Sequence, residues 1–264
     1  MRKDLLAATA LGSVAFIAAW PGAAAAQSSP NFDWAGLYAG GSIGIDLRSA
    51  PQFVFPDSGD HVHFQNGAPI FLGETGPFMP WSTSPGPQAP IVVSADLGRN
   101  FQSGNFVYGW EGDVSFLGTS FNQSLNQTGR TGDFSVESGV STLFTFRPRV
   151  GVTMDRLLLF ATGGLGVGSA VLSSHANITD SAKSAHWDGE NSAWKAGFVV
   201  GGGAEYAVTP KMRIKFEALY YNLGSMSVTA TGSGIDGVPV TAGPYSGTVQ
   251  LQGTLARVGV NFGF

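Results

Sequence analysis

Cysteine is absent from the 264 residues, so no disulfide staples the fold and its stability must come from the strands themselves. Charge is scarce: 12% of the residues are Asp, Glu, Lys or Arg, with 14 bases against 18 acids and a formal net charge of −4. That mild acidity leaves no basic footprint for nucleic acid. Beyond the N-terminal segment there is no uninterrupted apolar stretch of about 18 residues, the length a helix needs to span a bilayer. Any crossing of a membrane must be made by strands. What the chain has in quantity is glycine, 38 residues, together with 12% aromatics. This suits closely packed strands with aromatic belts at two interfaces better than it suits helices.

The two ends carry the strongest pattern. Arg2 and Lys3 precede an apolar run from Leu5 to Ala19, and Ala24-Ala25-Ala26 offers a small-residue cleavage site before Gln27. Residues 1–26 are therefore expected to be a secretory signal peptide, with residues 27–264 as one exported domain. The last ten residues, Leu255 to Phe264, alternate apolar with polar or small and stop on an aromatic. An exported chain with such a strand fits a bacterial outer membrane, where closed barrels satisfy every backbone group.

The same period of two recurs upstream. Phe106, Tyr108, Trp110, Val114 and Phe116 share one face, opposite Glu111, Asp113 and Ser115. Phe144, Phe146, Pro148, Val150 and Val152 oppose Thr145, Arg147 and Arg149, with Pro148 costing one ladder bond. Trp194, Ala196, Phe198, Val200, Ala204 and Tyr206 oppose Lys195 and Glu205. Met212, Ile214, Phe216, Ala218 and Tyr220 oppose Arg213, Lys215 and Glu217. Weaker alternation at Leu37 to Asp46, Ile91 to Phe101 and Leu157 to Gly168 brings the count to eight.

Short links at Gln102 to Asn105, Thr153 to Arg156 and Val208 to Lys211 alternate with long ones at Leu47 to Pro90, Gly118 to Val136, Leu172 to Ala193 and Ser225 to Ser246. Short periplasmic turns and long extracellular loops are the asymmetry of outer-membrane barrels. The expected fold is all-β: one closed antiparallel transmembrane barrel of eight strands. The first loop is too rich in proline for central strands, although Gln52 to Phe55 and His61 to Gln65 leave open an extra hairpin, or ten strands. Trp34, Phe106, Tyr206, Phe262 and Phe264 fall at the periplasmic edge, and Phe116, Trp194 and Tyr220 at the other, as two interfacial belts.

Several segments resemble one family: Phe32 to Gly41, Gly104 to Asp113, Arg147 to Gly151 followed by Asp155-Arg156 and Thr162-Gly163-Gly164, Glu205-Tyr206, Lys215 to Gly224, and Arg257 to Phe264. Together they resemble the small outer-membrane immunogenic proteins of Gram-negative bacteria, the opacity-type porins, whose barrel is like the OmpA membrane domain. The chain departs from the family mainly in its long first loop and in Pro148. The resemblance implies that the terminal strand, with Val258, Val260, Phe262 and Phe264 on one face, is read by the outer-membrane assembly machinery.

With the apolar faces toward lipid, the opposite faces carry Asp96, Glu111, Asp113, Glu205 and Glu217 together with Arg147, Arg149, Lys195, Arg213, Lys215 and Arg257. Eight strands enclose an interior just wide enough for side chains to fill. Five acids and six bases are thus expected to form a paired network that shuts the interior; a narrow solute path is the competing reading.

Other motifs point less far. His61 and His63 are a bare HxH pair beside Asp57 and Asp60, short of a three- or four-ligand site. His175, His186 and Asp188 sit together without a paired nucleophile. Gly163 to Gly168 is glycine-rich but precedes no helix, so it fits a strand better than a phosphate loop. Asn122, Asn126 and Asn177 begin Asn-x-Ser/Thr triplets of the kind polar loops produce by chance. Phe53, Phe55, Phe64, Phe71, Phe78 and Trp81 make an aromatic first loop, either a contact surface or one packed on itself or against the lipopolysaccharide. The expectation is a non-enzymatic envelope protein without cofactor or metal. Its expected partners are outer-membrane lipid, lipopolysaccharide and the assembly machinery, with no external ligand identified. A small-solute pore and a loop-mediated adhesin or receptor are the alternatives.

Overall fold

Period-two alternation builds the chain, and the computed structural model is made of strands. It describes residues 32–48, 62–65, 68–71, 89–118, 122–127, 130–180, 183–234 and 245–264. In chain order the strands are β1 (Gly36–Leu47), β2 (Val62–Gln65), β3 (Ala68–Phe71), β4 (Ile91–Ser103), β5 (Phe106–Leu117), β6 (Asn122–Gln127), β7 (Arg130–Met154), β8 (Leu157–Asp180), β9 (Lys183–Ala207), β10 (Met212–Gly234) and β11 (Tyr245–Gly263). Eight of them close an antiparallel ring in the order β1, β4, β5, β7, β8, β9, β10, β11 and back to β1. The closing seam runs from Tyr38 opposite Gly263 to Leu47 opposite Thr254. A closed ring leaves no strand edge in the lipid, which is what a membrane requires of a sheet.

The extra hairpin in the first loop is β2 paired with β3, a separate two-stranded sheet. The ring therefore has eight strands and not ten. The partner of the His61 to Gln65 segment is Ala68–Phe71 rather than Gln52 to Phe55; the latter lies outside the described residues, as does the segment expected to be a signal peptide.

At one end of the ring the links are tight, with Gly104 (φ 60°) and Asp155 (φ 54°) in the left-handed backbone conformation that two-residue hairpins need. From that common end β1, β4 and β5 run 12, 13 and 12 residues, close to the ~9–11 that span a bilayer at a tilt, whereas β7 to β11 run 25, 24, 25, 23 and 19. The excess projects from the opposite end. β8 and β9 stay paired to Asp180 opposite Lys183, so the stretch from Leu172 to Ala193 is a long hairpin and not a loop. Gly118 to Val136 likewise contains β6 and the start of β7, and Ser225 to Ser246 the end of β10 and the start of β11. These stretches read as loops because the outward face loses its apolar residues above the membrane; where alternation persists, as from Met226 to Ala230, the apolar side faces inward and the polar side outward.

Two bulges also shift the phase. β10 gains a residue between Asn222 and Ser225, where Gly224 takes φ 82° and donates its N–H to Asn222 Oδ1 at 2.8 Å. β7 gains one between Val140 and Thr142. Inward positions on β10 are thus Leu219, Tyr221 and Leu223 before the bulge and Met226 and Val228 after it.

Candidate functional site

The inward face is layered. Nearest the short turns, Trp34, Val107, Leu158 and Ala207 pack as a buried cluster with Phe32 against it. Trp34 is fully buried, its backbone N–H donating to Gln102 Oε1 at 2.7 Å and its indole N–H to Asp155 O at 3.4 Å. It closes the mouth of the barrel instead of joining the aromatic belt in which the sequence placed it. The Asp33 carboxylate accepts from the Ala35 N–H (2.9 Å) and turns the chain there, so Trp34 enters the mouth while Phe106, Tyr206, Phe262 and Phe264 stay outside and exposed.

Above this plug lies a buried ion network. The pairing of β5 with β7 sets Glu111 opposite Arg147 and Asp113 opposite Thr145; the pairing of β10 with its neighbours sets Lys215 opposite Glu205 and Glu217 opposite Arg257. Arg147 reaches Glu111 (2.8 Å), Asp113 (2.6 Å) and, across the lumen, Glu217 (2.9 Å). Arg257 forks onto Glu217 (2.6 Å) and Asp113 (3.2 Å) and donates to Ser94 and Ser115, both at 3.0 Å. Arg149 joins Glu205 (2.7 Å) and Glu111 (3.3 Å). Lys215 joins Glu111 (3.1 Å) and Asp96 (3.2 Å). Planar guanidinium forks suit such multidentate pairing. Removing so many ions from water is tolerable because each has an opposite charge within reach, and Glu111, Asp113 and Glu217 are each met by at least two bases.

Besides Ser94, three neutral groups complete the network; Ser115 and Thr145 have the expected inward phase, but none was counted among its members from sequence. Tyr38 Oη donates to Glu111 Oε2 (2.8 Å) and accepts from Arg149 Nη1 (2.7 Å); Thr145 donates to Asp113 at 2.5 Å and Ser115 to the same carboxylate at 3.0 Å. Their signal was parity. Tyr38 shares the phase of Asp46, and Ser115 and Thr145 the phases of Asp113 and Arg147.

Two expected members stand apart. Arg213 is buried but lies over aromatic faces, 5.0 Å from the Trp34 ring and 5.9 Å from that of Tyr38. Its Nη2 donates to Trp34 O at 3.5 Å, and it forms no ion pair with a described residue. Lys195 has the inward phase but is only half-buried. It sits opposite Gly168, several residues beyond the charged layer, and pairs with no described carboxylate. The ion-paired set is thus five acids with Arg147, Arg149, Lys215 and Arg257.

A third layer was not foreseen at all. Val92, Val140, Leu143, Leu172, Val199, Leu219, Leu223, Met226, Val249 and Leu255 belong to one buried apolar cluster inside the barrel, on the side of the long hairpins. At its edge Tyr221 Oη donates to Asp46 Oδ2 (2.9 Å), which also receives Arg48; Arg48 Nη2 in turn donates to Gly118 O at 2.7 Å. The interior is apolar, ionic and apolar again from one mouth to the other.

Outside, Val258, Val260, Phe262 and Phe264 of the last strand are exposed toward lipid, Phe264 most of all at 81%, and the Phe264 N–H donates to Leu37 O at 2.9 Å beside the seam. His175 and Asp188 face each other on β8 and β9, exposed, 2.5 Å apart. Phe64 and Phe71 fall in β2 and β3, while Phe53, Phe55, Phe78, Trp81 and His61 lie outside the described residues.

The chain is 29% identical over 215 residues to the 31 kDa outer-membrane immunogenic protein of Brucella melitensis biotype 1, covering 79% of each chain, and equally to its counterpart in Brucella suis biovar 1. Among solved structures it is similar to Neisserial surface protein A, with a TM-score of 0.33 and 11% identity, covering 86% of this chain and 96% of that one. It is also similar to the outer membrane protease OmpT of Escherichia coli, with a TM-score of 0.41 and 9% identity, covering 87% and 97%. The family model for the outer membrane protein beta-barrel domain matches residues 12–264, and with its eight-stranded ring and lipid-facing apolar wall the chain belongs to that family of the bacterial outer membrane.

Proposed function

We propose that this protein is a closed, non-enzymatic barrel that adds to envelope integrity and holds long β-hairpins above the outer membrane. The observation that carries the reading is the filled interior: the Trp34 cluster, the ion network and the apolar layer follow one another along the axis. A water path would have to cross two apolar layers, and eight strands leave an interior that side chains can fill. The acids and bases of the ion network are paired with one another, and Arg213, outside it, lies over the Trp34 and Tyr38 rings. Export through a cleaved segment at residues 1–26, insertion by the assembly machinery through Val258, Val260, Phe262 and Phe264, and contact with lipid and lipopolysaccharide belong to the same proposal.

A second reading, a surface receptor or adhesin, draws on the length of β7 to β11, far beyond what a bilayer needs. The porin reading is tested by solute efflux. Liposomes carrying the folded protein should retain small sugars as protein-free liposomes do, and rapid size-dependent efflux would replace the closed-barrel reading by a pore.

A further inference from the structure

The lipid-facing wall is almost free of charge, and its one exception stands in a particular place. Between the two rows of aromatics, Arg99 on β4 is the single charged side chain at an outward position among the described residues. It lies toward the short-turn end, opposite Trp110 of β5 and Leu37 of β1. The next outward pair toward the turn, Phe101 and Tyr108, stacks with ring centroids 5.4 Å apart, and the Arg99 guanidinium lies 5.0 Å from the centre of the Phe101 ring. It pairs with no described carboxylate.

An arginine on a lipid face is costly at the midplane of the hydrocarbon and costs little near an interface. The ring under Arg99 covers one face of the guanidinium but leaves its in-plane N–H donors free. Those donors match a phosphodiester in two-point fashion, and the rings beside them offer apolar surface to the glycerol and upper acyl chain. Inside the barrel every arginine of the ion network, on β7 and β11, has carboxylates to meet; on the lipid face Arg99 has no described carboxylate beside it.

We infer that Arg99, with Phe101, Tyr108 and Trp110, forms a seat for the headgroup phosphate of an anionic phospholipid in the periplasmic leaflet. A net-anionic headgroup is favoured over a zwitterionic one because it brings no ammonium to compete with the guanidinium. One basic residue at an anionic surface is worth ~1 kcal/mol, which converts to a preference of about fivefold.

The test is native mass spectrometry of the folded protein released from nanodiscs of equal phosphatidylglycerol and phosphatidylcholine. Wild type should carry phosphatidylglycerol in about fivefold excess. Arg99→Gln should bring the ratio near one, while Arg156→Gln and Lys211→Gln in the turns leave the excess in place. Heat-modifiable electrophoretic mobility checks folding, and if Arg99→Gln does not fold, Arg99→Met, suited to a lipid face, carries the same test. An equal ratio in wild type, an undiminished excess without Arg99, or loss of the excess through the turn residues instead would each overturn the inference.

Discussion

Arg147 shows at the scale of a single residue how the interior is held. It is fully buried and touches three carboxylates, those of Glu111, Asp113 and Glu217. Truncating it strands negative charge in a buried site, so Arg147→Ala should destabilise the barrel by about 3–5 kcal/mol, read from denaturant unfolding in detergent. Adding Asp113→Asn should recover part of that loss, since one stranded charge disappears; additive losses would mean that the two residues are energetically independent. Gly98 makes the complementary point about space. A Cβ at that position would sit 2.3 Å from Tyr38 Oη, whereas one at the outward Gly41 would meet nothing closer than Ser94 O at 3.5 Å. Gly98→Ala should therefore cost about 1–3 kcal/mol through overpacking and Gly41→Ala little, by the same unfolding measurement. The small residue on one wall makes room for the long one on the other.

Each strand has one face for lipid and one for the interior, and the two faces answer mutation differently. On β7, Phe146 is 58% exposed and Leu143 is buried. Phe146→Arg places a charge in lipid and should cost about 2–4 kcal/mol near the midplane. Leu143→Ala leaves a cavity in the upper apolar layer and should cost about 2–5 kcal/mol. A neutral Phe146→Arg would mean that this face of β7 does not meet hydrocarbon. On β11 the outward Phe264 is proposed as an assembly signal, so its deletion should lower the amount of heat-modifiable folded protein in the outer membrane while export continues; normal folded levels would remove that role.

The membrane halves of the strands were legible because lipid on one side and charge on the other write a clean alternation, as in Phe144 to Val152. The inward placement of Glu111, Asp113, Arg147, Arg149 and their partners follows from that alternation alone. Trp34 was not legible as a plug, because an aromatic beside a strand end fits a belt equally well until the turn at Asp33 sends it inward. The upper apolar layer was hidden by its own chemistry. Where Leu143, Leu219 or Leu255 faces inward and an apolar residue faces lipid, alternation vanishes, and the bulges at Val140 and Asn222 then change the phase. Beyond the membrane no apolar face toward lipid is demanded, and the apolar side that remains, as at Met226 and Val228, turns inward, so the long hairpins looked like loops.

As a whole molecule the barrel is proposed to be shut. The proposed closure does not rest on one gate: the Trp34 cluster, the ion network and the apolar layer follow one another inside the barrel. The layers also differ in kind, and apolar constrictions exclude ions by dewetting while paired charges leave no unpaired site for them. Opening one layer should leave the other two in place, so Trp34→Ala should fold and stay closed. The most direct measurement is single-channel recording of the purified, folded wild type in a planar lipid bilayer. No steady conductance steps are expected from wild type or from Trp34→Ala. Stable steps in wild type, with an ion selectivity that shifts when Arg147 or Arg149 is replaced, would contradict the closed barrel and make the charged layer the lining of a channel.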